Sequence, residues 1–228
     1  MKKLLLSGVL ALAGLGFLFS YFDIKIPVNE TTKTCLVTGA SSGIGAELSR
    51  QMVKLGWTVL GIARCEDKLQ ELRKELGDKF IPYSCDVGKA EQIRQTSAKI
   101  KKYGYKATLF FLNAGPGVPD LYNQFDSHKH RETLDVNYFG VTDWVDEWLG
   151  NVKENGGGTF VVTSSVMALF ATPGSAGYSM SKMAVNGCFR SLRLQYWNDN
   201  IGFVVAMPGP VQTGILRIDN PLPFTQQP

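Results

Sequence analysis

Six short apolar runs alternate along the chain with longer stretches of helical periodicity. Each run predicts a strand, at 33–38, 57–63, 80–84, 108–112, 159–164 and 202–207. The stretches between them predict helices at about 43–55, 66–76, 90–103, 128–152 and 178–198. This alternation predicts an α/β fold with a doubly wound parallel sheet, the Rossmann fold, in which ligands bind beyond the carboxyl ends of the strands.

Composition favours one globular domain for these elements. The 228 residues are 44% hydrophobic and 19% charged, which supplies enough apolar material for a substantial core. Residues 28–228 are assigned to this domain and residues 1–27 to a separate N-terminal segment. The net charge of +4 is mild, and its one local cluster, at Lys99, Lys101 and Lys102, is typical of a solvated helix face. Nucleic-acid binding is therefore not predicted.

Neither the cysteines nor the histidines form a metal-binding pattern. The cysteines, at positions 35, 65, 85 and 188, lack paired metal spacing and are interpreted as free thiols. His128 and His130 lie two positions apart on a predicted helix and point in different directions. No metal site is predicted.

The N-terminal segment contains an uncharged stretch at 4–22, preceded by Lys2 and Lys3. As a helix its 19 residues would span roughly 28 Å, close to the hydrocarbon core of a bilayer. We expect an uncleaved membrane anchor, at the endoplasmic reticulum in a eukaryotic cell. A cleaved signal peptide, which would give a secreted enzyme, and an interfacial helix are the alternatives. Lysines flank the stretch on both sides, so its orientation stays open.

A glycine-rich turn lies between the first predicted strand and the first predicted helix. It reads Thr38-Gly39-Ala40-Ser41-Ser42-Gly43-Ile44-Gly45. Glycines permit a tight turn and a close approach of the backbone, and the N-terminus of the following helix offers free N–H groups and a positive dipole end. The turn therefore predicts a pyrophosphate site, and the residues assigned to it are Gly39, Ser41, Ser42, Gly43, Ile44 and Gly45.

Four further motifs follow the glycine turn in order. They are Asp86-Val87, Asn113-Ala114-Gly115, the set of Ser165, Tyr178 and Lys182, and Pro208-Gly209. With the T-G-x-x-x-G-x-G turn they resemble the short-chain dehydrogenase/reductase family over about residues 33–213, and within it the membrane-anchored hydroxysteroid-dehydrogenase-like type. The resemblance implies a nicotinamide dinucleotide as cofactor.

The resemblance also implies where parts of the cofactor would lie. Asp86 would lie near the adenine ring, although an Asp after a strand is also typical of a turn or helix cap. Two further groups of residues would contact the adenine-ribose side and the nicotinamide: Asn113, Ala114 and Gly115 for the first, and Pro208, Gly209, Val211 and Thr213 for the second.

Cofactor choice depends on the end of the second strand. An acidic residue there accepts hydrogen bonds from the ribose 2′-OH of NAD, whereas an Arg accommodates the 2′-phosphate of NADP. This chain has Ala63-Arg64, which predicts NADP(H). The alternative for Arg64 is an ion pair with Glu66 or Asp67 on the surface.

Tyr178 and Lys182 lie four residues apart, on one face of a predicted helix. A free phenol titrates near pH 10, and we expect the neighbouring ammonium and the positive nicotinamide to lower the pKa of Tyr178. Tyr178 then becomes an acid/base. The resemblance implies that Lys182 also hydrogen-bonds the nicotinamide ribose.

Two more residues complete the predicted catalytic set. The catalytic serine of the family commonly lies about thirteen residues before the tyrosine, which selects Ser165 over Ser164. Its hydroxyl would hold the substrate oxygen and stabilise developing charge. Asn137 matches the family's helix asparagine, which supports a water that relays protons beside the lysine. The other interpretation of Asn137 is a locally bonded polar residue.

The chain ends fifteen residues after Thr213, where family members usually continue through a lid and a seventh strand. Pro221, Pro223 and Pro228 make the tail a poor helix or strand, so we expect both elements to be missing and the pocket to be open.

The combined expectation is an NADP(H)-dependent oxidoreductase that interconverts a carbonyl and a secondary alcohol on a lipophilic substrate such as a steroid, retinoid or lipid ketone. The alternative is a catalytically weak or inactive nucleotide-binding protein that acts through association, as a homodimer paired through its long fourth and fifth helices.

Overall fold

The computed structural model describes residues 32–115, 125–170 and 172–211. The predicted membrane segment at 4–22 lies outside these ranges, as do Thr213 and the proline-rich tail. Among the helices within the described ranges, none is long and apolar enough to cross a bilayer.

Within the described residues, six strands form one parallel sheet. They are β1 (Thr34–Thr38), β2 (Thr58–Ala63), β3 (Phe80–Ser84), β4 (Leu109–Leu112), β5 (Gly158–Thr163) and β6 (Ile201–Ala206). Their order is β3-β2-β1-β4-β5-β6, and every neighbouring pair is parallel. The order reverses between β1 and β4, which makes the loops after these strands the walls of the ligand crevice. The predicted doubly wound sheet is confirmed.

In the part of the chain that the structure describes, six α-helices connect or follow the strands. They are α1 (Gly43–Lys54), α2 (Glu66–Leu76), α3 (Ala90–Lys102), α4 (Ser127–Leu134), α5 (Gly140–Glu154) and α6 (Ala176–Gln195). Single-turn 3-10 helices follow α2 and β5, at Gly77–Lys79 and Val166–Ala168.

The prediction of one regular helix over 128–152 is wrong in its middle. A π-helical turn, Asp135–Phe139, separates α4 from α5. The backbone here is pressed against the loop after β3, since a Cβ on Gly140 would lie 2.4 Å from the carbonyl oxygen of Val87. π-turns widen a helix locally and are frequent at functional sites.

Helices cover both faces of the sheet and bury two apolar layers. One layer packs α1 and α2, through Leu48 and Leu69 for example, against side chains such as Val37. The other packs α3, α5 and α6 against side chains such as Leu36 on the opposite face of β1. Trp144 and Trp148 are buried in the second layer.

Candidate active site

The glycine turn lies at the carboxyl end of β1, where β1 meets β4. Gly39 adopts a φ of 70°, a left-handed conformation that favours glycine. Gly45, in the first turn of α1, packs so tightly that a Cβ would lie 2.2 Å from the carbonyl oxygen of Gly39. Ser42 is the N-cap of α1 but makes no side-chain capping hydrogen bond within the described chain. The N–H groups of this helix end are thus available to an anion.

Thr38 ties the glycine turn to the loop after β4. Its hydroxyl oxygen accepts hydrogen bonds from the backbone N–H groups of Asn113 and Ala114, each at 2.9 Å. Sequence reasoning did not assign Thr38 a role. The available signal was a hydroxyl residue that follows the apolar run at 35–37 and immediately precedes the glycines.

Arg64 and Asp86 lie in the loops after β2 and β3 on the same edge of the sheet. The Arg64 side chain is exposed and forms no ion pair with a described residue, so the predicted surface pairing with Glu66 or Asp67 is not found. Asp86 is half-buried, and its carboxylate accepts a hydrogen bond from the Gly88 N–H at 3.0 Å. Asp86 therefore closes a local turn, which is the second of the two roles that the sequence suggested for it.

Ser165, Tyr178 and Lys182 converge beyond the end of β5. Ser165 is buried and opens the 3-10 turn, where its Oγ accepts a hydrogen bond from the N–H of Met167 at 3.1 Å. Tyr178 and Lys182 occupy the first two turns of α6. The Lys182 amine donates to the carbonyl oxygen of Thr163 at 2.8 Å and lies 5.6 Å from the centre of the Tyr178 ring.

Ser164 points elsewhere, as its place on the strand predicts. Its hydroxyl donates to the backbone carbonyl of Lys182 at 3.4 Å. Ser165, by contrast, interacts with the Tyr178 phenol. The structure thus pairs Tyr178 with the serine that the sequence selected.

Burial dominates the electrostatics of Tyr178. Loss of solvent raises the pKa of its phenol, and the interaction with the Ser165 hydroxyl lowers that pKa by a smaller amount. The expectation that Lys182 lowers the pKa of Tyr178 is therefore wrong for the protein chain without cofactor. The amine is directed at the Thr163 carbonyl, and desolvation of the phenol is the larger effect.

Burial shifts the pKa of Lys182 in the opposite direction, downward. The side chain is only 4% exposed, and burial lowers the pKa of its amine to about 8. A lysine with this pKa exchanges protons readily near neutral pH.

This depressed pKa predicts a pH-dependent stability. Between about pH 8 and the ordinary lysine value of 10.5 the unfolded chain holds a proton that the folded chain has released. The free energy of unfolding should therefore rise with pH over this range, by at most about 1.4 kcal/mol per pH unit. Replacing Lys182 by Met removes the effect, and urea denaturation of both proteins at about pH 7.5 and about pH 9.5 measures it. An identical pH dependence in the two proteins would contradict the assignment.

Asn137 lies in the π-turn and is fully buried. Its Nδ2 donates to Ser181 Oγ at 3.0 Å. A Cβ on Gly115, in the loop after β4, would lie 2.8 Å from Asn137 Oδ1 and 3.2 Å from Lys182 Nζ. The amide oxygen and the amine therefore both lie next to the same point beside Gly115. The structure thus places Asn137 near Lys182, and these contacts leave no room for a side chain at position 115.

The loop after β6 returns to the same edge of the sheet. The carbonyl oxygen of Pro208 accepts a hydrogen bond from the N–H of Val166, directly after Ser165, at 3.1 Å. Gly209 is exposed and Val211 is half-buried at the end of the described loop. The prediction for Thr213 lies outside the described residues.

The family model of the short chain dehydrogenase matches residues 33–221. One relative, the sesame protein named 11-beta-hydroxysteroid dehydrogenase A, is 31% identical over 206 residues, which cover 88% of this chain and 59% of the relative. The chain thus spans less than two thirds of that protein's length.

Two solved structures share the fold. An alcohol dehydrogenase from the archaeon Thermococcus sibiricus, complexed with 5-hydroxy-NADP, superposes with a TM-score of 0.71 at 28% identity, covering 78% of this chain and 76% of that one. A short chain dehydrogenase/reductase from Burkholderia phymatum, in complex with NAD, gives 0.74 at 26% identity, covering 80% and 67%. A family match over most of the described residues, on a fold shared with these enzymes, means that the chain belongs to the short-chain dehydrogenase family of oxidoreductases.

Proposed function

We propose that the chain is an NADP(H)-dependent oxidoreductase that interconverts a carbonyl and a secondary alcohol on a lipophilic substrate. The observation that carries the proposal is the convergence of Ser165, Tyr178 and Lys182 beyond β5, on the same edge of the sheet as the glycine turn. A hydroxyl, a phenol and an amine in this arrangement can hold a carbonyl oxygen and pass a proton to it.

The residues of the chain fit a dinucleotide cofactor. The N-terminus of α1, which has no side-chain cap among the described residues, suits a pyrophosphate, and glycine at positions 39 and 45 lets the turn pack closely against the loop after β4. When bound, the nicotinamide group supplies or accepts the hydride.

In the reduction, Ser165 and Tyr178 would donate hydrogen bonds to the substrate oxygen. Both bonds strengthen as negative charge develops on that oxygen, and Tyr178 then transfers its proton to it. The raised pKa of Tyr178 favours the neutral phenol, which is the form that donates a proton. Lys182 and Asn137 would support the return of a proton to Tyr178.

The NADP(H) preference rests on Arg64. Its exposed guanidinium forms no ion pair with a described residue, and positions 63 to 65 carry no carboxylate that would repel a phosphate. The two solved relatives contain an NADP derivative and NAD respectively. These two structures therefore do not decide between NADP(H) and NAD(H) for this chain, and the preference is inferred from the chain's own residues.

Replacing Arg64 by Ala should raise KM for NADPH about tenfold or more, the equivalent of a charged hydrogen bond, and leave KM for NADH unchanged. Steady-state kinetics with both cofactors measure the ratio. Arg94→Ala is the matched control, because Arg94 is an exposed arginine on α3 that bonds Glu91. An NADPH/NADH ratio that is the same in Arg64→Ala and wild type would disprove the assignment.

Apolar side chains on both sides of the catalytic set support a lipophilic substrate. Leu169 and Phe170 are exposed directly after the turn that Ser165 opens. Phe125 is 81% exposed, and its ring meets that of His130 edge to face, with the centroids 4.9 Å apart. His130 in turn packs against Gly177, immediately before Tyr178. Exposed apolar groups at the edge of a site are typical of surfaces that receive apolar ligands. The name of the sesame relative, a hydroxysteroid dehydrogenase, is in keeping with this substrate class.

The binding-only alternative is favoured by the outer face of α6. Met183 is exposed there, and Leu194 and Trp197 are 76% and 70% exposed at the far end, a face on which two copies of the chain would pair. NADPH binding without turnover on steroid, retinoid and acyl ketones would favour the alternative. NADPH oxidation with any of them would favour the enzyme.

A further inference from the structure

A buried serine joins the π-turn to α6. Ser181 is fully buried, one residue before Lys182. Its hydroxyl accepts a hydrogen bond from Asn137 Nδ2 at 3.0 Å and donates one to the backbone carbonyl of Tyr178 at 2.7 Å.

These two bonds fix the direction of the Asn137 amide. A serine hydroxyl carries one proton, and Ser181 uses it on the Tyr178 carbonyl. The hydroxyl therefore offers Asn137 only an acceptor, which the amide nitrogen satisfies and the amide oxygen does not. The nitrogen faces Ser181, and the oxygen faces the point beside Gly115 that Lys182 Nζ also borders.

We propose that Ser181 is a positioning residue that orients the Asn137 side chain so that its amide oxygen is presented to the amine of Lys182. An amide oxygen attracts an ammonium, whereas the amide NH₂ in the same place would repel it. This inference rests on the proposed function, in which Asn137 and Lys182 support the return of a proton to Tyr178. Ser181 itself touches neither the substrate nor the reacting atoms.

The test begins with Ser181→Ala in the full chain. The variant removes the acceptor that selects the orientation of the amide, so kcat for NADPH-dependent ketone reduction should fall about tenfold, the rate equivalent of one hydrogen bond. KM for the ketone and Kd for NADPH should not change, because the binding groups are untouched. An unchanged kcat would overturn the proposal.

Ser97→Ala is the matched control for the loss of a buried serine. Ser97, on α3, is also fully buried and also accepts a side-chain N–H bond from another helix, from Trp148 Nε1 at 3.1 Å. This variant should lose stability and keep kcat. If it lost kcat as Ser181→Ala does, the effect would be general destabilisation and the proposal would fail.

A double-mutant cycle separates action through Asn137 from direct action. In an Asn137→Ala background, Ser181→Ala should cause no further loss of kcat, because the group that it orients is gone. Independent, multiplying losses would overturn the proposal.

One readout does not depend on turnover. In NMR hydrogen exchange, the side-chain NH₂ of Asn137 should exchange faster in Ser181→Ala than in wild type, and equal exchange would overturn the contact. The proposed function fails separately, through full turnover by Tyr178→Phe or no turnover by the wild type.

Discussion

Replacing Tyr178 by Phe should lower kcat by roughly a hundred- to ten-thousand-fold, the range that a positioned acid contributes. The substitution removes the phenolic oxygen that would hold and protonate the substrate oxygen, while the ring still fills its half-buried place at the start of α6. Affinity for NADPH should change little, because the glycine turn and Arg64 are intact.

Ketone-dependent NADPH oxidation and NADPH fluorescence titration measure the two quantities. Tyr196→Phe is the matched control: Tyr196 lies at the other end of the same helix, with its ring 5.8 Å from that of Phe203. Its loss of a hydroxyl should leave kcat unchanged. Full turnover by Tyr178→Phe with bound cofactor would rule out the proposed mechanism.

Replacing Gly45 by Ala should abolish measurable cofactor binding. The new Cβ would lie 2.2 Å from the carbonyl oxygen of Gly39. Neither atom can turn aside, because the Cβ is held directly by the backbone of α1 and the oxygen belongs to the backbone of the turn. Either α1 or the turn must move away from the position that binds a pyrophosphate. We also expect a loss of about 1–3 kcal/mol in the free energy of unfolding.

Gly150→Ala is the control for a glycine-to-alanine substitution that causes no steric clash. Gly150 lies within α5, and its added Cβ would meet no atom within 4 Å. This variant should gain about 0.5–1 kcal/mol in stability, as alanine replaces glycine in a helix, and bind NADPH as wild type does. Fluorescence titration and urea denaturation of both variants test the pair. Wild-type NADPH affinity in Gly45→Ala would contradict the assignment of the turn.

The sheet was predictable from local pattern because its strands are buried on both faces. Such strands are continuous apolar runs, and each of the six lies within one residue of its predicted limits. Tyr178 and Lys182 were predictable as neighbours because their spacing places them on one face of α6. The choice of Ser165 came from the resemblance to the family, whose serine commonly lies about thirteen residues before the tyrosine.

Other features depend on distances in the folded protein, which the spacing of residues along the sequence does not determine. The π-turn leaves the apolar spacing of its helix nearly unchanged, so periodicity predicted one regular helix. The direction of the Tyr178 pKa depends on how deeply the phenol is buried against how closely charges approach it. The hydrogen bonds of Thr38 and Ser181 to residues far away in the chain exist only in the folded protein.

Deuterium transfer is the most direct test of the proposed activity. The full chain would be incubated with NADPH that carries deuterium in place of both hydrogens on the reactive carbon of the nicotinamide. The substrates would be steroid, retinoid and acyl ketones, and the products would be analysed by mass spectrometry. We predict a secondary alcohol with one deuterium on its carbinol carbon from wild type, and none from Tyr178→Phe. NADPH binding without a deuterated alcohol from any of these ketones would contradict the assignment of Tyr178, Lys182 and Ser165 to carbonyl reduction.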